Sequence, residues 1–489
     1  MSDSTTKPSI RIPLFLAAIC FLLWIAHFSA PSDMIDDDQL KPVAYTLDIV
    51  VNGNWAVQSD YENSVASKPP LYQWICAILG MLRGRVDELT MYVPTGISIL
   101  ITSLLCCRIA GSRFGSIAGL WAGLSFLLCS LTAKHVCLAR TDAMFTLWVS
   151  AAAFAGLRAW EQGGTRRWTL FWLFVALSTL TKGPLGLVLA SLGLVAHFKE
   201  RRELEGSSFR GSHLPGIALF IVLCGGWFAW AVVVDRERVI DKMIGRELIG
   251  HAVTSDAGNA PLSRIYQPFL YFLVRFAPWC VPALAGMYFA FRTPSDDPSQ
   301  RRLERFCACW LALGLLVFGV AGHQRADLLL PLFPAAAVLT GRRMARWRIF
   351  ASPRALIITV LSVTTVGIAG IAWYNHRIRL DDREVKLSQA AERFARNWKD
   401  ESDSMLFTES GSFLQYWFGL KSLPVSISEA AAALQSDPSR IVMTADADQL
   451  LRECETVGIR AVVRDRYMLP DTTDRYMSAV SRELAESHP

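Results

Sequence analysis

Apolar runs of about 15–20 residues recur from Arg11 to Trp373, the length scale of segments that cross the hydrocarbon core of a bilayer. Backbone groups in that core have no water to bond, so such runs must satisfy themselves internally as helices. Composition agrees with this reading: 52% of the residues are hydrophobic and the mean hydropathy is +0.31. The pattern argues against a soluble globular protein and predicts a polytopic α-helical membrane protein. The first run, Pro13 to Ala30, is too long for a signal-peptide core and has no clear small-residue cleavage site, so it reads as a retained helix. The eleven cysteines fall mostly in apolar runs with no Cys-x-x-Cys pair, which suits small apolar packing groups better than a disulfide framework or a zinc site.

Hydrophobic periodicity places membrane helices near 12–30, 92–108, 115–132, 143–158, 168–180, 185–198, 214–234, 268–291, 304–320, 327–341 and 354–374, about 11 to 13 in all if some segments are tilted, re-entrant or merged. Every second connection is then basic. These connections hold Arg113; Arg158, Arg166 and Arg167; Lys199, Arg201, Arg202 and Arg210; Arg292, Arg301, Arg302 and Arg305; and Arg342, Arg343, Arg346, Arg348 and Arg354. By the positive-inside rule they are cytoplasmic, as is the N-terminus, in a plasma (inner) membrane. Residues 31–91, 133–142, 181–184, 235–267, 321–326 and everything after about 375 then lie outside. The net charge of +6 reads as topology rather than as a nucleic-acid footprint.

From Arg377 the chain becomes charged. Helical patterns (Glu384–Trp398, Ile427–Leu434, Ala447–Cys454) alternate with short apolar segments (Ser404–Phe407, Arg440–Met443, Ala461–Val463), which predicts a small extracytoplasmic α/β domain. The chain therefore divides into a membrane domain, 1–374, and a soluble domain, 375–489. No internal repeat and no Walker or Rossmann phosphate loop is visible, which argues against an ATP-driven pump.

The first outer loop, 31–91, is too long for a simple connection, and loops of that length usually carry function. It opens with the acidic triplet Asp36-Asp37-Asp38. Gln39 to Val51 is amphipathic, and Leu71 to Leu82 combines Tyr72 and Trp74 with aliphatic residues, as interfacial helices do. Gly53-Asn54-Trp55 and Ser67-Lys68-Pro69-Pro70 mark the turns between them.

The series Asp38-x-x-Lys41, Gly53-Asn54-Trp55, Lys68-Pro69-Pro70-Leu71-Tyr72-x-Trp74, Arg140-Thr141-Asp142 and Thr181-Lys182-Gly183-Pro184 resembles the lipid-linked sugar transferases of the GT-C superfamily. Within it the series is most similar to the branch of aminoarabinose (lipid A) transferases and protein O-mannosyltransferases. The resemblance spans roughly residues 10 to 340 and is strongest between 36 and 190. It implies a GT-C-like membrane domain and inverting transfer of a sugar from a polyprenyl-phosphate donor to an acceptor at the outer surface.

Such a transfer needs a carboxylate to take the acceptor proton or orient the nucleophile, and cations to hold the phosphate leaving group. Asp38 is the candidate base, standing ahead of Lys68 at the family's spacing, and Asp37 competes for the role. The structural alternative is that Asp38 caps a helix starting at Gln39 beside a solvated charge run. Lys68 would contact the donor phosphate, against the alternative of a snorkelling lysine before a proline turn. Asp142, which opens a helix beside Arg140, is the third candidate carboxylate, and N-capping competes there too.

Lys41, Arg246, Arg275 and Arg325 complete the candidate phosphate ligands. Arg246 lies in the outer loop 235–267. Arg275 lies in an apolar segment, where a cation must be paired or face water. Arg325, in His323-Gln324-Arg325, precedes a leucine-proline stretch as a basic residue does in the family, and an interfacial anchor is its alternative role. Lys182 reads as the end of a short turn.

Some residues depart from the family pattern. Ser67 replaces a frequent Glu before the lysine, which weakens the case for a divalent-metal site built on that carboxylate, and His251 alone is not a metal site. No cofactor is assigned, and a divalent metal stays a weakly supported alternative. Lys41 stands where relatives have Arg and lacks its bidentate fork. Pro42 predicts a later start for the first-loop helix unless it lies in the first turn. No tyrosine stands in 324–330, where Asp327 is the other polar candidate. The expected partners are a polyprenyl-phosphate-linked sugar donor, a lipid, glycan or protein acceptor, and membrane lipids, with no nucleic acid. The alternative function is a lipid-linked-sugar transporter or a non-catalytic binder using the same basic cavity; no repeat of the kind transporters often show is present.

Overall fold

The structure is a computed structural model that describes residues 11–30, 34, 37–60, 63–200, 210–242, 245, 264–321, 324–347, 352–378, 396–398, 405–408, 425–468 and 476–483. In chain order the helices are α1 (Arg11–Phe28), α2 (Asp37–Asn52), α3 (Leu71–Arg83), α4 (Glu88–Phe114), α5 (Ser116–Leu127), α6 (Ser130–His135), α7 (Asp142–Gln162), α8 (Thr165–Lys182), α9 (Leu185–Ser191) and α10 (His197–Glu200). They continue as α11 (Leu214–Phe220), α12 (Gly226–Val234), α13 (Arg236–Val239), α14 (Gln267–Arg275), α15 (Cys280–Arg292), α16 (Pro298–Val320), α17 (Phe333–Met344), α18 (Pro353–Trp373), α19 (Ile427–Ser436) and α20 (Ala447–Thr456).

Among the described residues, six helical segments are long and apolar enough to cross a membrane: Arg11–Phe28, Glu88–Phe114, Asp142–Gln162, Leu214–Val234, Pro298–Val320 and Pro353–His376. The chain folds as a multi-pass helical membrane protein. Burial separates its centre from its periphery. In the best apolar window of Asp142–Gln162, 83% of residues are buried, against 11% in Leu214–Val234 and in Pro353–His376, so α7 is central and the latter two face lipid.

Local chemistry sets the helix limits. Asp87 accepts a hydrogen bond from the Thr90 amide at 2.9 Å and so caps α4, whose turn into α5 passes through Gly115 at φ +93°. Asp297 caps α16 by accepting from the Ser299 amide at 2.8 Å, with Pro298 in the first turn. Proline also explains where the observed helices differ from the periodicity. The expected helix 268–291 is two, α14 and α15, separated by a turn that contains Pro278; the expected 327–341 is a 3₁₀ turn, Ala326–Leu332, holding Pro331 and followed by α17.

The centre of the bundle is α4, α5, α7, α16 and α17, packed around Trp121, Trp160, Phe306, Trp310 and Phe333. A Cβ on Gly341 of α17 would stand 2.3 Å from the Ala118 carbonyl oxygen of α5, so this contact requires glycine.

At one end of the bundle, buried carboxylates gather arginines. Glu161 holds Arg113 at 2.6 Å and Arg302 at 3.3 Å, Glu200 holds Arg305 and Arg301, and Glu304 holds Arg342 at 2.6 Å. Several of the residues read as basic loops are thus helix-borne partners of buried acids, because a buried carboxylate needs a matched cation.

In the C-terminal stretch, β1 (Met405–Phe407), β2 (Ile441–Thr444), β3 (Ala461–Met468) and β4 (Tyr476–Arg482) form a sheet in the order β1-β2-β4-β3. β1 and β2 are parallel; β4 is antiparallel to both its neighbours. Alternation gives the sheet two apolar faces. Val442 and Val480 pack under α19 and α20, whereas Met405, Phe407, Met443 and Met477 join the apolar cluster that includes the membrane helices. Most of the expected helix Glu384–Trp398 lies outside the described residues, and β4 was absent from the sequence expectation.

Gly341→Ala is expected to cost about 1–3 kcal/mol by forcing α5 and α17 apart. The measurement is thermal unfolding of the purified protein in detergent, where an unchanged midpoint would show that the two helices separate freely.

Candidate functional site

The end of the bundle opposite the arginine–glutamate pairs is formed by the first loop, the segment 136–141, the C-terminus of α8 and the 3₁₀ turn Ala326–Leu332. One buried carboxylate organises the turn that follows α2. The buried carboxylate of Asp48 accepts from Asn52 Nδ2 at 2.8 Å, Asn54 Nδ2 at 2.9 Å and the Ser59 amide at 2.8 Å. Gly53 supplies φ +72° in that turn, which accounts for Gly53-Asn54-Trp55 as a folding element. Trp74 of α3 and Trp227 of α12 donate to the carbonyls of Trp55 and Ala56, at 2.8 and 3.1 Å.

Four charged side chains from three distant segments meet at this end. Arg140 Nη2 donates to Asp38 Oδ2 at 2.7 Å and its Nη1 donates to Asp327 Oδ2 at 3.0 Å. Arg325 Nη2 reaches the same Asp38 oxygen at 3.0 Å. The Arg140 side chain is only 12% exposed, while those of Asp38 and Arg325 are 42% and 52% exposed. Gln39, the neighbour of Asp38, accepts from the Ala139 amide at 3.2 Å, so backbone and side chain both tie α2 to the segment carrying Arg140. Beside this group Lys182 forms an ion pair with the buried Asp142, and its ammonium lies 5.9 Å from the Phe145 ring centroid.

His135, at the end of α6, is buried, with Nδ1 2.8 Å from the Leu131 carbonyl oxygen. Its Nε2 has no hydrogen-bond partner among the described residues. Burial is the largest influence and pushes its pKa down, opposed by the charges of Asp142 and Asp327.

Asp38 stands in the first turn of α2, which begins at Asp37, and its carboxylate binds two arginines. Pro42 lies inside α2 rather than delaying its start, so the expected later start is corrected: the helix begins two residues ahead of Gln39. Asp36 lies outside the described residues, as does the side chain of Asp37. Asp142 is the first residue of α7, but Thr141 occupies the cap position and makes no side-chain cap bond; Asp142 serves Lys182 instead.

Lys68 is half-buried before α3, with Nζ 3.3 Å from Ser67 Oγ, and Lys41 is half-buried on α2, one turn beyond Asp38. Arg275 ends α14, its carbonyl accepting from Ser130 Oγ at 3.1 Å, and among the described residues its side chain forms no ion pair with a carboxylate. Arg246, His251 and His323 lie outside the described residues. Among the described residues no three His, Cys, Asp or Glu side chains group as a metal set.

Arg140, Asp327 and Lys182 were named in the sequence, the first and last within motifs and Asp327 as a polar candidate, but their pairings were not; nothing in the sequence marked His135.

The family described as dolichyl-phosphate-mannose-protein mannosyltransferase matches residues 67–230. An undecaprenyl phosphate-α-4-amino-4-deoxy-L-arabinose arabinosyl transferase of Shewanella sediminis is 23% identical over 346 residues, 69% of this chain and 60% of that protein. The counterpart from Erwinia tasmaniensis is 24% identical over 62% of this chain and 54% of its own length. The matched region spans less than two thirds of either relative. The crystal structure of ArnT from Cupriavidus metallidurans bound to undecaprenyl phosphate superposes with a TM-score of 0.70 at 14% identity, covering 96% of this chain and 97% of that one. The fold is that of this ArnT structure. A second structural neighbour, the archaeal oligosaccharyltransferase AglB from Archaeoglobus fulgidus in complex with an inhibitory peptide and a dolichol-phosphate, has a TM-score of 0.51 at 11% identity, covering 90% of this chain and 69% of that one.

Lys182→Met leaves a buried carboxylate without its lysine and is expected to cost about 3 kcal/mol. Arg325→Gln, at a half-exposed pair, is expected to stay within about 1 kcal/mol of the wild type. Thermal unfolding in detergent ranks the two, and equal losses would contradict the burial argument. Because His135 is held below its usual 6.5, the unfolded chain takes up the proton first, so stability falls as pH drops below about 6.5. His135→Asn is expected to flatten that slope in melting curves between about pH 7.5 and 5; a slope identical to the wild type would exclude His135 as its source.

Proposed function

We propose that the chain is an integral-membrane glycosyltransferase that moves a sugar from a polyprenyl-phosphate donor to a lipid, glycan or protein acceptor on the outer face of the membrane, with inversion. The observation that supports it best is the convergence of Arg140 and Arg325 on one oxygen of Asp38, at the ends of helices in a GT-C fold. Guanidiniums placed to grip a carboxylate can equally grip phosphate oxygens, whose charge grows as the leaving group departs. A transporter would concentrate such charges near the midplane in broken helices. Here they sit at helix ends, which favours transfer chemistry.

In this reading the acceptor's nucleophilic atom bonds to the anomeric carbon while the bond from that carbon to the phosphate oxygen breaks. The electron pair leaves with polyprenyl phosphate, and the acceptor proton passes to Asp38, with Asp37 as the alternative base. Arg140, Arg325, Lys41 and Lys68 neutralise the phosphate, with Arg246 and Arg275 as further cations. Asp142 acts with Lys182 at the edge of the site.

The site end faces the extracytoplasmic side of the plasma (inner) membrane and the N-terminus is cytoplasmic, following the basic connections. Residues 1–374 form the catalytic membrane domain, with about 11 to 13 transmembrane helices, and 375–489 an extracytoplasmic α/β domain. Lipid A, a surface polysaccharide and a protein hydroxyl are the acceptor classes this reading admits.

Membranes carrying the wild type are expected to transfer labelled sugar from synthetic undecaprenyl phosphate-α-4-amino-4-deoxy-L-arabinose or polyprenyl-phosphate mannose. Asp38→Asn and Lys68→Ala are each expected to lose about 100-fold or more. Full activity in both variants would remove the site assignment. Donor binding without transfer by the wild type, with either donor, would favour the transporter or binder.

A further inference from the structure

A cleft opens between α15 and α17 at the end of the bundle remote from the candidate site. α17 starts beside the turn that carries Asp327 and ends at Met344, while α7 runs from Asp142 to the ring of Glu161 pairs, a separation of about 30 Å along its axis. The cleft is lined by Gly286, Phe289, Glu304, Arg342, Arg343 and Arg346, among others. Gly286 brings α15 against α17: a Cβ there would stand 2.9 Å from the Leu339 carbonyl oxygen.

The charges in this cleft do not balance. Buried Glu304 accepts from Arg342 Nε at 2.6 Å, Asp297 lies within electrostatic range of Arg342, and the Arg342 guanidinium lies over the Phe114 ring at 4.6 Å. Arg343 lies over the Phe289 ring at 4.2 Å, and Arg346 is exposed. Among the described residues neither Arg343 nor Arg346 forms an ion pair with a carboxylate. Stacking on Phe289 fixes the Arg343 guanidinium plane and leaves its N–H donors free to serve an incoming anion.

The surroundings define the depth. Tyr288 and Phe291 on α15 are 60% and 46% exposed, and Trp347 just beyond α17 is 42% exposed. Exposed aromatics of this kind mark the level of lipid headgroups, and a basic pocket between helices at that level suits an anionic head group.

We propose that this cleft binds the phosphodiester head group of an anionic phospholipid in the leaflet facing away from the candidate site, with Arg343 and Arg346 as its principal ligands. Arg342 serves Glu304 and frames the site. The proposal depends on the fold and the membrane setting, and not on the chemistry proposed for the other end.

The test is lipid binding to the purified full-length protein in detergent, followed by native mass spectrometry and by thermal shift, with phosphatidylglycerol, phosphatidylcholine and inorganic phosphate as separate probes. The wild type is expected to bind phosphatidylglycerol in preference to phosphatidylcholine. Arg343→Gln/Arg346→Gln is expected to bind it about 30-fold more weakly, from the loss of two surface cations. Arg346→Gln alone changes an exposed side chain, and about a fivefold loss is expected while the fold is kept. Arg343→Lys/Arg346→Lys retains the charge and is expected to keep most of the binding. Equal binding of phosphatidylglycerol and phosphatidylcholine, unchanged affinity in Arg346→Gln, or displacement of the lipid by an equal concentration of inorganic phosphate would overturn the proposal.

Discussion

The candidate site is organised by one guanidinium. Arg140 is nearly buried and holds two carboxylates, Asp38 from the first loop and Asp327 from the turn that follows α16. A buried arginine is tolerated only when paired, and carboxylates this close repel one another unless a cation stands between them. The contact therefore couples segments far apart in sequence: moving either acid away leaves the arginine short of a partner. Arg325 and Lys182 complete the balance, on Asp38 and Asp142. The pairs are not equally firm. Lys182–Asp142 is buried, whereas Asp38 and Arg325 are each around half-exposed, so that pair is the least costly to exchange for another anion. On the proposed reading, a donor phosphate would enter there, with Arg140 as the fixed point.

The two ends of the bundle use the same side-chain chemistry for different purposes. At the far end Glu200 and Glu304 are almost completely buried and their arginines come from α16 and α17, so the pairs lock central helices together. At the site end the exposed members of the network are the side chains of Asp38, in the first turn of α2, and Arg325, which precedes a 3₁₀ turn, on elements otherwise packed into the core. Buried pairs at one end and half-exposed pairs at the other allow charges at the site to be rearranged without repacking the core.

The multi-pass architecture was legible because apolar run length and the placement of arginines are strong, local signals, and α7, α16 and α18 fall close to where periodicity puts them. Breaks within runs were less so: Pro278 and Pro331 stand in segments that remain apolar on both sides, so hydropathy alone merges what proline divides. At the site, residue types and loop identity were readable, and pairings were not. Arg140 lay within a recognised motif beside Asp142, yet its partners are Asp38 and Asp327, while Asp142 turns to Lys182. Such assignments depend on which helix ends meet in space. His135 left no trace, since a histidine in a short apolar helix looks the same whether it faces lipid or a cluster of acids.

Pro42 shows how a departure from the family pattern is absorbed. Proline at this position has no N–H for the Asp38 carbonyl, and its ring crowds the same oxygen. The expected remedy was a helix starting after it; instead α2 begins at Asp37 and keeps Pro42 inside. Thr46 Oγ1 donates to the Pro42 carbonyl at 2.8 Å one turn on. The missing bond falls in the turn that carries Asp38, where ion pairs to Arg140 and Arg325 and the Gln39 contact to the Ala139 amide supply restraints from outside the helix. The first turn of α2 is thus held by its tertiary partners more than by its own ladder, which ties the position of the proposed base to the arginines it is meant to work beside.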